Sequence, residues 1–144
     1  MKWRAAVDRA VAPLGLTHAQ YSLLASLLGM QGRGQRPSQR ELADFTGLEA
    51  LYVSKLARTL EAAGLLTRAG HPADTRAVQL SLTPEGRRVT RRAVVVVRRL
   101  VDQMLAPLGG LDGEGTQTLV GQLTALLDAP TDTARPGPKS RPKE

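Results

Sequence analysis

Apolar residues recur with helical spacing along most of the chain, in segments that glycine and proline separate. The first segment predicts a short helix over residues 2–12, which Pro13 ends. A second helix begins after Thr17, which has Gln20 three residues ahead in the arrangement of a capping box, and the glycine-rich stretch that starts at Gly29 ends it. The apolar face of this second helix consists of Tyr21, Leu24, Leu27 and Leu28.

The same spacing predicts two more helices in the next part of the chain. Ser38 and Glu41 form a second capping-box pair, and Gly47 ends the short helix that they begin. We expect the apolar residues of this helix to pack inward, namely Leu42, Ala43 and Phe45. A fourth helix extends from about 49 to 63, and Gly64 is its C-terminal stop. Its inner stripe consists of Val53, Leu56, Ala57 and Leu60.

After Gly64 the apolar residues alternate with polar ones, which predicts a β-hairpin with strands over about 65–68 and 77–82. Thr83 then supplies a capping hydroxyl for a long helix over 84–106. The valines at 94–97 would favour a strand taken alone, but the flanking arginine pairs and the sustained helical period favour a helix. Its inner stripe consists of Val89, Ala93, Val97, Leu100 and Met104. A last helix over about 112–127 carries Leu119, Leu123, Leu126 and Leu127.

The length of 144 residues and the absence of cysteine narrow what the chain can be. A domain typically holds about 100 to 200 residues, so residues 1–129 are interpreted as a single domain. Residues 130–144 contain four prolines and no large apolar side chain, and we expect them to form a disordered basic tail. Without cysteine, the chain forms no disulfide, thiolate metal site or cysteine nucleophile. No apolar stretch is typical of a signal peptide or a membrane span, so we expect a soluble cytoplasmic protein.

The charge is concentrated in the middle of the chain. Twenty lysines and arginines against thirteen acidic residues give a formal net charge of +7. Eleven of these basic residues and six of the acidic ones lie between residues 31 and 92. A positive excess favours a polyanionic partner such as nucleic acid or an anionic membrane surface, so the binding face is sought first in this stretch.

The sequence lacks the residue arrangements that are typical of enzymes and metal sites. The two histidines, His18 and His71, form no pair at helical spacing. The glycine-rich stretch at 29–34 has neither the lysine of a P-loop nor a preceding strand. Glu41 and Asp44 lie three residues apart on one helix, which is more typical of a solvated face than of a catalytic pair. We therefore expect no enzymatic activity, no cofactor and no metal ion.

The predicted order of helix, short helix, helix and hairpin within a basic stretch is that of a winged helix-turn-helix. In such a unit the second helix of the turn motif, here residues 49–63, lies in the major groove of DNA. The hairpin tip, here residues 70–76, reaches the neighbouring backbone or minor groove. The positions of the groove helix opposite its apolar stripe are Leu51, Tyr52, Ser54, Lys55 and Arg58.

An ordered set of short motifs accompanies this pattern. They are Leu-Thr-His-Ala-Gln-Tyr at 16–21, Ser-Gln-Arg-Glu-Leu-Ala at 38–43, Val-Ser-Lys-Leu at 53–56, Leu-Glu-Ala-Ala-Gly-Leu-Leu at 60–66 and Leu-Ser-Leu-Thr-Pro-Glu-Gly at 80–86. Arg68, Asp74 and Arg76 belong to the same set, in the wing. No single motif is specific, but their order over residues 16–86 resembles the MarR family of transcriptional regulators.

This resemblance implies a fold that is mainly α with a small β-hairpin wing, a winged helix-turn-helix joined to a helical dimerisation region. Residues 31–83 would be the DNA-binding part, while residues 1–30 and 84–129 would intertwine with those of a second subunit. The sequence also needs such a partner by itself, because the apolar faces of its last two helices are otherwise poorly covered. Two-fold symmetry then predicts a palindromic site whose half-sites lie about one helical turn apart, roughly 10 bp.

The residues expected to contact DNA lie at the start of the third helix, on the outer face of the groove helix and in the wing. They are Ser38, Gln39, Arg40, Tyr52, Ser54, Lys55, Arg58, Arg68, Asp74 and Arg76. Arg76 resembles the family's wing arginine that enters the minor groove, and Asp74 resembles the acid that braces the wing. The family's small-molecule pocket lies between the DNA-binding and dimerisation parts, and its candidate residues here are Trp3, His18, Tyr21 and Met30.

These observations predict a homodimeric, sequence-specific regulator that binds double-stranded DNA, a repressor that a small-molecule ligand releases. The ligand need only bind more tightly to the arrangement that does not fit DNA. Two alternatives remain open. One is a winged-helix module that binds protein instead of DNA, and the other is an architectural DNA binder that responds to no effector and shows little sequence preference.

Overall fold

The computed structural model describes residues 2–130 and contains six α-helices and one two-stranded hairpin in that range. The elements are α1 (Trp3–Val11), α2 (His18–Gly32), α3 (Gln39–Thr46), α4 (Ala50–Ala62), β1 (Leu66–Gly70), β2 (Val78–Leu82), α5 (Pro84–Met104) and α6 (Glu114–Leu127). Short 3₁₀ turns over Ala12–Leu14 and Ala106–Leu108 follow α1 and α5. Within residues 2–130, no helix combines the length and apolar character that crossing a membrane requires.

The predicted helix starts are present with their hydrogen bonds. The Thr17 hydroxyl accepts from the backbone N–H of Gln20 at 3.3 Å, and the Gln20 side chain accepts from the Thr17 N–H at 2.9 Å. The Ser38 and Glu41 pair is closed in the same way, at 3.2 and 2.6 Å. Each pair satisfies two backbone donors that the first turn of a helix leaves free, so the sequence fixes where α2 and α3 begin.

Helix α2 is the centre of the core. It packs against α1, α3, α4, α5 and β2, and three of its leucines, Leu23, Leu24 and Leu27, are fully buried. The predicted inner stripe of α4 is buried as well, and Ala93 and Val97 bury the facing side of α5. The valine run is therefore helical, because its period of 3.6 residues gives α5 one continuous apolar face toward α1 and α2.

The hairpin is tied to the rest of the fold along the outer edge of β2. Its two strands are antiparallel, in a register that runs from Leu66 opposite Leu82 to Gly70 opposite Val78. On the other side of β2, the Leu80 N–H donates to the Pro37 carbonyl at 3.1 Å, and Ser38 forms an isolated bridge with Gln79. The segment 36–38 thus acts as a short third strand that the sequence did not predict, since it lacks any alternating pattern.

Helix α5 begins in close contact with the turn between α4 and β1. The Thr83 hydroxyl donates to the Gly64 carbonyl at 2.7 Å and accepts from the Gly86 N–H at 2.9 Å. Gly86 is buried, and a Cβ atom at this position would lie 1.8 Å from the carbonyl oxygen of Leu65. Only glycine allows this approach of two backbones.

Three details of the sequence prediction are wrong. Gly29 does not end α2, which continues to Gly32, because a glycine within a helix costs only about 1 kcal/mol and tertiary packing outweighs it. Phe45 does not pack inward but is 60% exposed, since α3 turns only Leu42 and Ala43 toward the core. The inner stripe of α5 does not reach Met104, whose side chain is exposed at the end of the helix.

Helix α6 stands apart from the core and presents a broad apolar surface. Its first turn is anchored by the Thr116 hydroxyl, which donates to the Gly110 carbonyl at 2.6 Å. The apolar side chains farther along the helix are exposed, and they are Leu119, Val120, Leu123, Leu126 and Leu127. The predicted tail, 130–144, lies outside the described residues apart from Pro130.

Candidate nucleic-acid interface

The outward face of α4 lies directly opposite its buried stripe. Helices α3 and α4 are joined by a tight turn in which Gly47 adopts φ 68°, and α3 packs across α4 as the first helix of a turn motif does. Leu51, Lys55 and Arg58 follow one another at steps of four and three residues, so they form one exposed line. The predicted outward positions of this helix are therefore on one solvent-facing side.

A concave surface of about 570 Å³ lies along this side of α4. Its lining residues come from the whole outer face, and they are Glu49, Leu51, Tyr52, Ser54, Lys55, Arg58 and Thr59. Four of the ten residues predicted to contact DNA are thus brought together here. Two cations, one hydroxyl-bearing side chain and one phenol in a single concavity can donate to phosphate oxygens and to acceptors on base edges.

The start of α3 contributes three more of the predicted residues. Ser38 is nearly buried, and its hydroxyl is engaged as the N-cap of the helix. The Ser38 backbone N–H, and its hydroxyl after it, hold the pKa of Glu41 below its ordinary value, because both hydrogen bonds favour the carboxylate. Gln39 has a buried Oε1 atom without a hydrogen-bond partner in the described part of the chain, whereas Arg40 is exposed.

The tip of the wing is ordered by Asp74. Its carboxylate accepts from the backbone N–H of Arg76 at 2.9 Å, and its carbonyl accepts from the Ala77 N–H at 3.0 Å. On the other side of the tip, the His71 Nδ1 atom accepts from the Ala73 N–H at 3.1 Å. Arg76 is exposed, and its guanidinium takes part in no ion pair within residues 2–130. The wing therefore presents a cation on a tip that its own backbone contacts hold in place.

Arg68 is placed differently from the other predicted cations. Its guanidinium forms an ion pair with Glu61 at 3.5 Å, and its backbone N–H donates to the same carboxylate at 3.3 Å. Its side chain is only 23% exposed. Arg68 thus joins β1 to the last turn of α4, a role that sequence reasoning missed because Glu61 belongs to a different element.

A polar surface beside the wing was also missed. It has a volume of about 470 Å³ and joins the end of α2, the segment before α3, β2 and the start of α5. Arg36 and Arg87 are its two cations. Because Gln79 donates to the Arg36 carbonyl at 3.0 Å, this surface is fixed to the wing. The basic excess of the middle segment was the available signal, but it does not single out these two arginines.

A smaller cleft of about 180 Å³ lies between the α1–α2 pair and the α3–α4 pair. Its lining residues are Arg4, His18, Ala19, Ser22, Thr46, Leu48 and Tyr52. The His18 backbone N–H donates to the Asp8 carboxylate at 2.6 Å, which fixes α1 against the start of α2. Of the four candidate ligand residues, only His18 is among the lining side chains.

The other three candidate ligand residues pack elsewhere. Trp3 and Tyr21 are partly buried against the core, and Met30 is buried within it. Burial raises the pKa of the Tyr21 phenol, since it disfavours the phenolate. Arg4 and Tyr52 take their places in the cleft, and Tyr52 is shared with the concave surface of α4.

Comparison with known proteins places this geometry in a family. A model of the MarR family matches residues 14–77. The HTH-type transcriptional regulator YdcH of Bacillus subtilis is 37% identical over 98 residues, which cover 68% of this chain and 67% of that protein. Both findings confirm the resemblance carried by the ordered motifs.

Two solved structures extend the match to the whole fold. The transcriptional repressor CouR, bound to a 23-mer DNA duplex, is 28% identical with a TM-score of 0.72, over 88% of this chain and 84% of that one. The PcaV transcriptional regulator of Streptomyces coelicolor, in complex with its natural ligand, is 29% identical with a TM-score of 0.64, over 78% and 74%. The predicted fold class, a mainly helical winged helix-turn-helix with a hairpin wing, is confirmed. The chain belongs to the MarR family and is an HTH-type transcriptional regulator.

Proposed function

We propose that this regulator acts in the cytoplasm as a homodimeric repressor, which binds a palindromic operator and is released by a small molecule. The observation that carries the proposal is the joint exposure of the α4 face and of Arg76. Lys55 and Arg58 lie on a helix that can enter a major groove, while the braced wing carries a cation to the adjacent groove or backbone. The repressor CouR, a relative of the same fold, binds a DNA duplex.

The second subunit is proposed from the surface of α6. Five large apolar side chains are exposed on this one helix, which has little contact with the rest of its own chain. A contiguous apolar surface of this kind marks a protein contact, and two-fold pairing is the commonest arrangement in soluble proteins. In this division, α1, α5 and α6 hold the subunits together, and residues 31–83 read the operator.

Sedimentation equilibrium tests the pairing. Leu123 is 51% exposed near the middle of the α6 surface, so Leu123→Glu would place a charge within the interface, where an unpaired carboxylate is costly. We expect a folded monomer by circular dichroism and mass, whereas Leu111→Glu outside α6 leaves the mass of a dimer. A Leu123→Glu protein that stays dimeric would refute the assignment of α6.

The effector is proposed to bind the cleft between the α1–α2 pair and the α3–α4 pair. His18 and Arg4 come from one side of this cleft, and Tyr52 comes from the groove helix itself. A ligand that fills the cleft therefore touches both the helix that positions the DNA-reading unit and the helix that enters DNA. It releases the operator if it binds more tightly to an arrangement in which the two groove helices of the dimer no longer match successive major grooves.

Selection from a random duplex pool at about 0.15 M salt tests the function directly, because nonspecific phosphate contacts are already weakened there. We expect an enriched inverted repeat with half-sites about 10 bp apart. Binding without enrichment would instead indicate an architectural DNA binder. A folded dimer that retards no duplex would refute the DNA-binding proposal and favour a module that binds protein.

A further inference from the structure

Leu51 is exposed to a degree that is unusual for a large apolar side chain. It is 83% exposed, and among the large hydrophobic residues of 2–130 only Leu127, at the end of α6, is more exposed. Leu127 belongs to the apolar surface of α6, but Leu51 has no apolar neighbourhood of that kind. It stands in the first turn of α4 among polar and charged residues of the outer face.

The position of Leu51 on α4 decides what it can meet. It lies one turn before Lys55 and two turns before Arg58, on the line opposite the buried stripe. In a helix-turn-helix the N-terminal residues of the second helix reach the base edges, while cations farther along contact phosphates as well as bases. Leu51 is therefore the side chain on this line that is placed deepest toward the floor of the major groove.

We propose that Leu51 contacts the C5-methyl group of a thymine in each half-site and thereby sets a preference for that base. Thymine is the one base that offers an apolar group in the major groove, and side chains that cannot form hydrogen bonds recognise it by this methyl. The proposal rests on the proposed function, since it names what one residue of the same interface reads. It gives the operator a base at a defined place, near the position that the N-terminus of α4 occupies.

The charged surroundings of Leu51 favour DNA over a protein partner. Lys55 and Arg58 share its face, and neither forms an ion pair in the described part of the chain. A polyanion satisfies both cations and at the same time buries the leucine in a groove that carries methyl groups. The adjacent Glu49 lines the same concavity and disfavours a phosphate there, which is consistent with contact to bases at this end of the helix.

A thymine-methyl deletion series tests the proposal with the full-length protein. The probe is the operator obtained by selection, in which each thymine in turn is replaced by deoxyuridine, so that one methyl group is lost and base pairing is kept. Loss of one buried methyl group weakens binding about fourfold, and loss in both half-sites about fifteenfold. We expect one thymine per half-site at which this penalty is present in the wild type and absent in Leu51→Ala. Leu51→Met, which keeps an apolar side chain, should restore most of it.

Phe45→Ala is the matched control. Phe45 is also an exposed apolar residue of the turn motif, but it lies on α3 and not on the outer face of α4. We expect this variant to retain every deoxyuridine penalty of the wild type. If Leu51→Ala selects the wild-type sequence and keeps all penalties, the proposal is overturned while the operator-binding function stands. If the wild type selects no sequence at all, both are overturned.

Discussion

Gly86 offers a direct test of how α5 and the wing are joined. In the substitution Gly86→Ala, the new Cβ atom would lie 1.8 Å from the Leu65 carbonyl oxygen and 2.8 Å from the Leu65 carbonyl carbon. These are backbone atoms, so no side-chain rotation relieves the contact. The start of α5 and the turn before β1 must separate by about 1 Å or more before the distance reaches values that real Cβ atoms show.

The expected cost follows from two opposing terms. Insertion of a methyl group into a well-packed site costs about 1–3 kcal/mol, and a rigid backbone neighbour puts this site at the upper end. Alanine recovers about 0.5–1 kcal/mol because it is a better helix former than glycine. We therefore expect Gly86→Ala to lower the free energy of unfolding by about 2 kcal/mol. The assay is urea denaturation followed by circular dichroism, at one fixed protein concentration because a dimer's stability depends on it.

Gly29→Ala is the matched control within α2. Its Cβ atom would meet nothing closer than the Arg33 guanidinium at 3.7 Å, so only the gain in helix propensity applies. We expect an increase in stability of about 0.5–1 kcal/mol. If Gly86→Ala unfolds at the same or a higher urea concentration than the wild type, the close approach of α5 to Leu65 is refuted. An equal loss in both variants would show that the effect is not specific to that contact.

The remaining predictions concern the interface and the start of α3. Arg76→Ala and Arg58→Ala should each lower the slope of log affinity against log salt by about 0.9 per phosphate contact, or about 1.8 for a dimer, whereas Leu51→Ala should leave the slope unchanged; equal slopes in the arginine variants would contradict their assignment. The pKa of Glu41 is lowered in the folded state by its hydrogen bonds to Ser38, so its contribution to stability is present above the ordinary pKa and is lost as the pH falls through the lowered value. The difference in urea midpoint between the wild type and Glu41→Gln should therefore narrow in acid, and a constant difference would refute it. Ser38→Ala should cost about 1 kcal/mol at neutral pH, measured in the same way.

Local signals in the sequence were sufficient for most elements of the fold. Capping pairs such as Thr17 with Gln20 fix helix starts by hydrogen bonds between near neighbours, so three or four residues carry the whole signal. The apolar stripe of α4 and the alternation in β2 are equally local. Phe45 was misplaced because its inward or outward direction depends on how α3 crosses α4, which no short window of sequence contains.

The candidate site was predicted less completely than the fold, for a related reason. The outer face of α4 follows from helical spacing alone, and the exposure of Lys55 and Arg58 was predicted correctly. The brace between Arg68 and Glu61 depends on a contact across two elements, and the cleft that contains Arg4 and Tyr52 depends on how two helix pairs meet. Residues that act through tertiary neighbours leave no periodic trace in the sequence.

The third strand formed by residues 36–38 has a consequence for how this chain can change in length. Because the Pro37 carbonyl and Ser38 are paired with β2, a shift of one residue there would turn Leu80 out of the core and displace the start of α3. The exposed residues 33–35 and the wing tip at 72–75 carry no such pairing with β2. Insertions should therefore be tolerated at 33–35 and at the tip, and a peptide tag placed at either site should leave the protein folded, whereas one added residue between 36 and 38 should not.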